Sequence, residues 1–115
     1  MCGILGISKE LTGQQFSAAL NAISHRGPDD SGTYIDSLVS IGHQRLSILD
    51  LSANGHQPMS ILDGKIWIVF NGEIYNHLDI RRDLGSEFSY RSSCDTETIL
   101  YGYLKHGTEI VKIIC

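Results

Sequence analysis

The apolar and polar positions divide the chain into short alternating segments with few long runs. Cys2-Gly3-Ile4-Leu5-Gly6-Ile7 is a brief apolar run with two glycines, which predicts a buried strand that another backbone approaches closely. From Thr12 to Ser24 the residues Phe16, Ala19, Leu20 and Ile23 fall at helical spacing, and Gly27-Pro28 sets the limit of that helix. Gly32 to Ile35 and Leu38 to Gln44 read as strands joined by a tight turn near Asp36-Ser37. Ser52 to Met59, with Asn54, Gly55 and Pro58, reads as loop. Ile66-Trp67-Ile68-Val69-Phe70 carries the strongest strand signal, being β-branched and aromatic between Gly64 and Gly72. A short helix is predicted over His77 to Leu84. A second, from Thr96 to His106, places Ile99, Leu100, Tyr103 and Leu104 on one face and ends at Gly107. Strands interspersed with helices in this order predict a mixed architecture of helices and sheets.

Composition narrows the function classes. A chain of 115 residues supports one domain with a modest core. Its net charge of −4 argues against a nucleic-acid binder, which normally carries a basic face. No stretch is long and apolar enough to span a membrane, and the start MCGILGISKE lacks the pattern of a secretory signal. The three cysteines, Cys2, Cys94 and Cys115, form an odd set without metal-type spacing, so a reducing cytoplasm is the expected setting. The histidines at 25, 43, 56, 77 and 106 are scattered, and no metal site is expected.

Four places carry candidate chemistry, each beside a plainer reading. Removal of Met1 would leave Cys2 with a free amine and a thiol on one residue. An α-amino group titrates near ~7.7–8.0 and a thiol near ~8.5, so the amine can take the thiol proton near neutral pH without a separate histidine. The plainer reading is a small residue packed in a strand. Asn71-Gly72 follows the strongest strand. A side-chain amide and an unobstructed N–H there can form an oxyanion hole, while Asn-Gly is also the preferred pair for a hairpin turn. Arg45 just past a strand offers a planar fork for a carboxylate, or a surface ion pair. Asp95 suits a helix N-cap and can equally accept from a substrate ammonium. His25-Arg26-Gly27-Pro28-Asp29-Asp30-Ser31-Gly32 reads as loop.

The joint order of these signals is more specific than any of them alone. MCGI-G-I, HRGPDDSG, GHQRLSILDLS, NGHQPM, NGEIYNH and CDTE in succession resemble the glutaminase domain of glutamine-hydrolysing asparagine synthetases, from Met1 to about Gly107. The resemblance implies an α+β, four-layer αββα N-terminal-nucleophile hydrolase fold, with two stacked antiparallel sheets between helices. It implies residues 1–115 as a glutaminase domain acting on L-glutamine. Cys2 would be the nucleophile, with Asn71 and Gly72 as the oxyanion hole. Arg45 would hold the α-carboxylate together with the backbone of Leu46, Ser47, Ile48 and Leu49. Glu73 and Asp95 would hold the α-ammonium. No cofactor or metal is implied in this chain; ATP and magnesium would belong to a synthetase domain normally fused in cis. The end of the chain, Thr108 to Cys115, drifts from the family pattern, and the expectation is a C-terminally truncated domain with exposed sheet edges and poor stability. Two alternatives keep the same motifs: a non-catalytic remnant, and the glutaminase domain of a sugar- or capsule-type amidotransferase.

Overall fold

The computed structural model describes residues 1–8, 11–47 and 53–115. Two antiparallel sheets and three α-helices make up these residues, an α+β arrangement. The first sheet holds β1 (Gly3–Ile7), β2 (Asp30–Ile35) and β3 (Ser40–Arg45) in the order β1-β3-β2. Helix α1 (Gly13–Asn21) follows β1 and buries Phe16 and Leu20, two of the apolar positions that predicted it. Its start is written in the sequence: the Thr12 hydroxyl accepts from the Gln15 N–H at 3.2 Å, and Gln15 returns the bond to the Thr12 N–H at 3.1 Å. The predicted turn at Asp36 is also formed. Its carboxylate accepts from the N–H groups of Leu38 and Val39, and these bonds hold it below the usual carboxylate range.

Register places the N-terminus. Gly3 lies opposite Gln44, so Cys2 comes to the Arg45 end of β3. Asp30 lies opposite Arg45 on the other side. The polar segment before β2 packs backbone to backbone on this same end. A Cβ at Gly27 would sit 2.4 Å from the Arg45 carbonyl carbon, so only glycine fits. Asp29 completes the lock: its N–H donates to Arg45 O at 3.0 Å, and its carboxylate accepts from the Ser47 N–H at 2.7 Å.

The second sheet pairs β4 (Met59–Ile61) with β5 (Ile66–Ile68). Sequence reasoning assigned Met59 to loop and missed β4, whose three residues are too few to show a period. It also extended β5 to Phe70. The strand stops at Ile68 because the Phe70 N–H and C=O bond to side chains in place of a ladder partner. Tyr34 of β2 stacks on Trp67 of β5, ring centroids 4.2 Å apart, and joins the two sheets.

Helices α2 (His77–Leu84) and α3 (Asp95–His106) complete the fold, followed by a 3₁₀ run, Gly107–Lys112. Helix α3 stands between two apolar clusters. Met59, Ile61, Cys94 and Leu100 fill one, and Ile74, Ile80, Leu84 and Ile110 fill the other. A buried carboxylate and a half-buried guanidinium shape the loop leading into α3. Glu97 accepts from the N–H groups of Arg91 and Ser92 and from the Ser92 hydroxyl at 2.7–3.1 Å. Arg81 donates to Thr98, to Ser92 O and to Cys94 O, with its guanidinium 4.0 Å above the Tyr90 ring. Among the described residues no helix is long and apolar enough to cross a membrane.

Candidate active site

A cleft of about 320 Å³ opens where the end of β3, the segment after β5 and the start of α3 converge. That volume lies at the small end of ligand cavities, about 300–1,000 Å³. Cys2, Arg45, Leu46, Asn71, Gly72, Glu73 and Asp95 all line it. Residues separated by up to 93 positions in sequence thus share one cavity.

Cys2 is half-buried beside Leu46. Its sulfur accepts from the Leu46 N–H at 3.3 Å and lies 3.6 Å from the Leu46 carbonyl. Both contacts follow from the β1–β3 register. Met1 lies at the mouth of the cleft, 75% exposed. Arg45 is buried at the last position of β3, held by the Gly27–Asp29 segment already described.

Asn71 and Gly72 occupy the cleft wall and are exposed. No strand follows them among the described residues, so the hairpin reading of Asn-Gly is not realised. A Cβ at Gly72 would come 2.7 Å from the Phe70 ring, which explains a residue without a side chain here. Glu73 is exposed beside them.

Asp95 departs from the N-cap expectation. Cys94 is the N-cap of α3 and makes no side-chain cap bond; Asp95 is the first helical residue. Its carboxylate turns to a different segment and accepts from the Ile74 N–H at 2.8 Å. A carboxylate has about four acceptor sites, so the remaining capacity can serve a cation in the cleft. Of the segment expected to hold the carboxylate, Leu46 lines the cleft. Ser47 does not line the cleft, and its N–H is taken by Asp29. Ile48 and Leu49 lie outside the described residues.

Sequence reasoning passed over three buried residues in the cleft wall: His43, Gln57 and Thr96. His43 Nε2 lies 3.1 Å from Phe70 O, which assigns the ring proton to Nε2. Burial holds His43 below the ordinary histidine range and keeps it neutral; the nearby Arg45 and His56 charges push the same way, opposed by the Phe70 bond and Asp30. Gln57 accepts from the Phe70 N–H at 2.7 Å and donates to Thr96 Oγ1 at 3.2 Å. The only signal for these roles was that His43 and Gln57 stand inside the GHQR and GHQPM motifs. Cys94 also lines the cleft, with its thiol pushed up by burial. No cluster of three or more histidine, cysteine or carboxylate residues suited to a metal occurs among the described residues.

Comparison with known proteins defines the class. Residues 1–114 match the glutamine amidotransferase domain family, and the chain belongs to that family. Asparagine synthetase (glutamine-hydrolyzing) 1 of Bacillus subtilis is 37% identical over 117 residues, covering 95% of this chain and 18% of that protein. Asparagine synthetase (glutamine-hydrolyzing) 2 of the same organism is 40% identical over 121 residues, 99% of this chain and 16% of that protein. Amidase chyE of Penicillium rubens is 42% identical over 95 residues, 82% of this chain and 14% of that protein. The chain therefore spans less than a fifth of the length of these relatives.

Proposed function

We propose that this domain hydrolyses L-glutamine to glutamate and ammonia through a thioester on Cys2, as the ammonia source of an asparagine-synthetase-like enzyme. The observation that carries the reading is the position of the Cys2 sulfur, 3.3 Å from the Leu46 amide and in one cleft with Arg45, Asn71, Gly72, Glu73 and Asp95. Met1 is exposed at the cleft mouth, within reach of an aminopeptidase. Its removal places the amine on Cys2 itself, where it takes the thiol proton. The thiolate attacks the γ-carboxamide carbon. The oxyanion forms against the Asn71 amide and the Gly72 N–H. The tetrahedral adduct collapses with loss of ammonia, and water cleaves the thioester to release glutamate. Arg45 pairs with the substrate α-carboxylate, and Glu73 and Asp95 with its α-ammonium. Those two charges select the free amino acid over a glutamine inside a peptide.

The fold that goes with this reading is the four-layer αββα arrangement of N-terminal-nucleophile hydrolases, with residues 1–115 inside one glutaminase domain. The two antiparallel sheets support it. Hydrolysis calls on no metal or cofactor in this chain; ATP and magnesium serve the synthetase region that would use the ammonia. The names of the two Bacillus relatives favour aspartate-to-asparagine chemistry there, and the amidase leaves room for other acceptors. Residence in the cytoplasm fits three free cysteines. The test is glutamine-to-glutamate conversion by the chain and by Cys2→Ala. Turnover that disappears in Cys2→Ala supports the reading; equal turnover overturns it.

A further inference from the structure

The segment from Phe70 to Ile74 crosses the cleft wall without a sheet ladder, and side chains hold it at both ends. At the entry, Gln57 Oε1 takes the Phe70 N–H at 2.7 Å and His43 Nε2 binds Phe70 O at 3.1 Å. At the exit, Asp95 takes the Ile74 N–H at 2.8 Å. Gln57 is itself tied to Thr96, the neighbour of Asp95, at 3.2 Å. His43, Gln57, Thr96 and Asp95 are all buried. Both main-chain groups of Phe70 are therefore spoken for by groups that water does not reach. The peptide unit is planar, so the Phe70 carbonyl and the Asn71 N–H lie in one rigid plate. Fixing that carbonyl fixes the direction in which the chain enters Asn71.

We infer that His43 and Gln57 are positioning residues for glutamine hydrolysis, holding the Phe70 main chain so that Asn71 and Gly72 keep their donors aimed at the oxyanion. The inference rests on the proposed role of Asn71 and Gly72. His43 Nε2 and Gln57 Oε1 are both engaged by the Phe70 main chain. Each acts through Phe70, and both do so from other elements, β3 and the loop before β4. A neutral histidine suits this task, since an Nε2–H donor to a carbonyl needs no charge and buries none. Oxyanion donors work within a few tenths of an ångström, and a misplacement of about 1 Å from a mutation away from the chemistry can cost about 10²-fold in rate.

The test compares full-chain variants by steady-state glutamine hydrolysis, by the rate of Cys2 alkylation with iodoacetamide, and by thermal melting. Alkylation at a saturated carbon forms no oxyanion, so it reports the nucleophile alone. His43→Leu and Gln57→Met remove the bonds to Phe70. Each should lose about 10–100-fold in kcat, with KM and Cys2 alkylation close to wild type. His43→Gln keeps an amide nitrogen near the Nε2 position and should recover most of the rate. His43→Asn is too short to reach Phe70 O and should not. If His43→Leu does not fold, the contrast between His43→Gln and His43→Asn carries the test. Equal kcat in those two, wild-type kcat in Gln57→Met, or kcat falling only in step with Cys2 alkylation would overturn the inference. Failure of the underlying reading looks different: wild type would then show no Cys2-dependent hydrolysis, or Asn71→Ala would retain full kcat, and the inference would fall with it.

Discussion

The Leu46 main chain brackets the sulfur of Cys2, its N–H 3.3 Å away and its carbonyl 3.6 Å away. One residue thus offers an acceptor for the thiol proton and a donor for the thiolate. Because β1 and β3 set this contact through backbone register, it does not depend on the identity of the Leu46 side chain.

Cys2 should be the sole nucleophile. Cys2→Ala is expected to abolish glutamine hydrolysis, and mass spectrometry of active protein should find Met1 absent and a glutamine-like electrophile attached to Cys2. Cys115 is exposed and should alkylate with no effect on turnover. Cys94 is buried with its thiol pushed up, so it should react only when the chain unfolds. Early modification of Cys94 in native protein would show that this thiol is not buried in solution.

Asn71 and Arg45 should separate kinetically. Loss of one oxyanion donor typically costs about 10²–10³ in kcat, so Asn71→Ala should lose rate with little change in KM. Arg45→Ala should chiefly raise KM, by the equivalent of about 2–5 kcal/mol of binding, since it leaves the substrate carboxylate unpaired at the buried end of β3. Initial rates over a range of glutamine concentrations decide both.

His43 should make the fold acid-sensitive. Its pKa in the folded chain is lowered from 6.5, so the unfolded chain takes up the proton first as pH falls. The stability tied to neutral His43 is fully present above about pH 6.5 and is lost as pH drops toward the lower folded value. Asp36 contributes in the same sense, but only below the carboxylate value of 3.8. Melting temperature against pH should therefore fall for wild type in the range below 6.5 and fall less for His43→Gln.

Glu97 should matter to stability and not to chemistry. It is 1% exposed and ties Arg91 and Ser92 to α3. Glu97→Ala leaves those N–H groups without their charged acceptor and should cost about 2–3 kcal/mol in a denaturant melt. An unchanged midpoint would mean that water replaces the carboxylate.

Much of this fold was legible because its local signals agree with its packing. Thr12 and Gln15 announce α1, Phe16 and Leu20 give its buried face, and Asp36 makes its turn without help from the rest of the chain. The candidate site residues came from the resemblance that the joint order of the motifs carries, and the cleft brings together Cys2, Arg45, Asn71, Gly72, Glu73 and Asp95. What stayed hidden depends on long-range partners. Strand β4 has three residues and exists through β5. Asp95 has the composition of a cap, yet its carboxylate bonds 21 positions back to Ile74. Gly27 looks like a turn residue and is in fact the gap into which the Arg45 backbone fits. His43 and Gln57 carry no periodic signature, since their work is done on the main chain of another segment.

The proposed nucleophile and the proposed oxyanion donors stand on different bodies. Cys2 belongs to the three-stranded sheet, while Asn71 and Gly72 hang between β5 and α2 against α3. His43 on Phe70 and Tyr34 on Trp67 bridge the seam. Asp30 also pairs with His56 across it, and the Gln57 backbone packs on Gly32. No strand ladder joins the two sheets among the described residues. The seam can therefore open with both bodies still folded, a cheaper event than global unfolding. Heat inactivation should then run ahead of the loss of helix and strand, and be reversible on cooling. A bound amino acid whose carboxylate rests on one body and whose ammonium rests on the other would act as a rivet, bringing the two temperatures together.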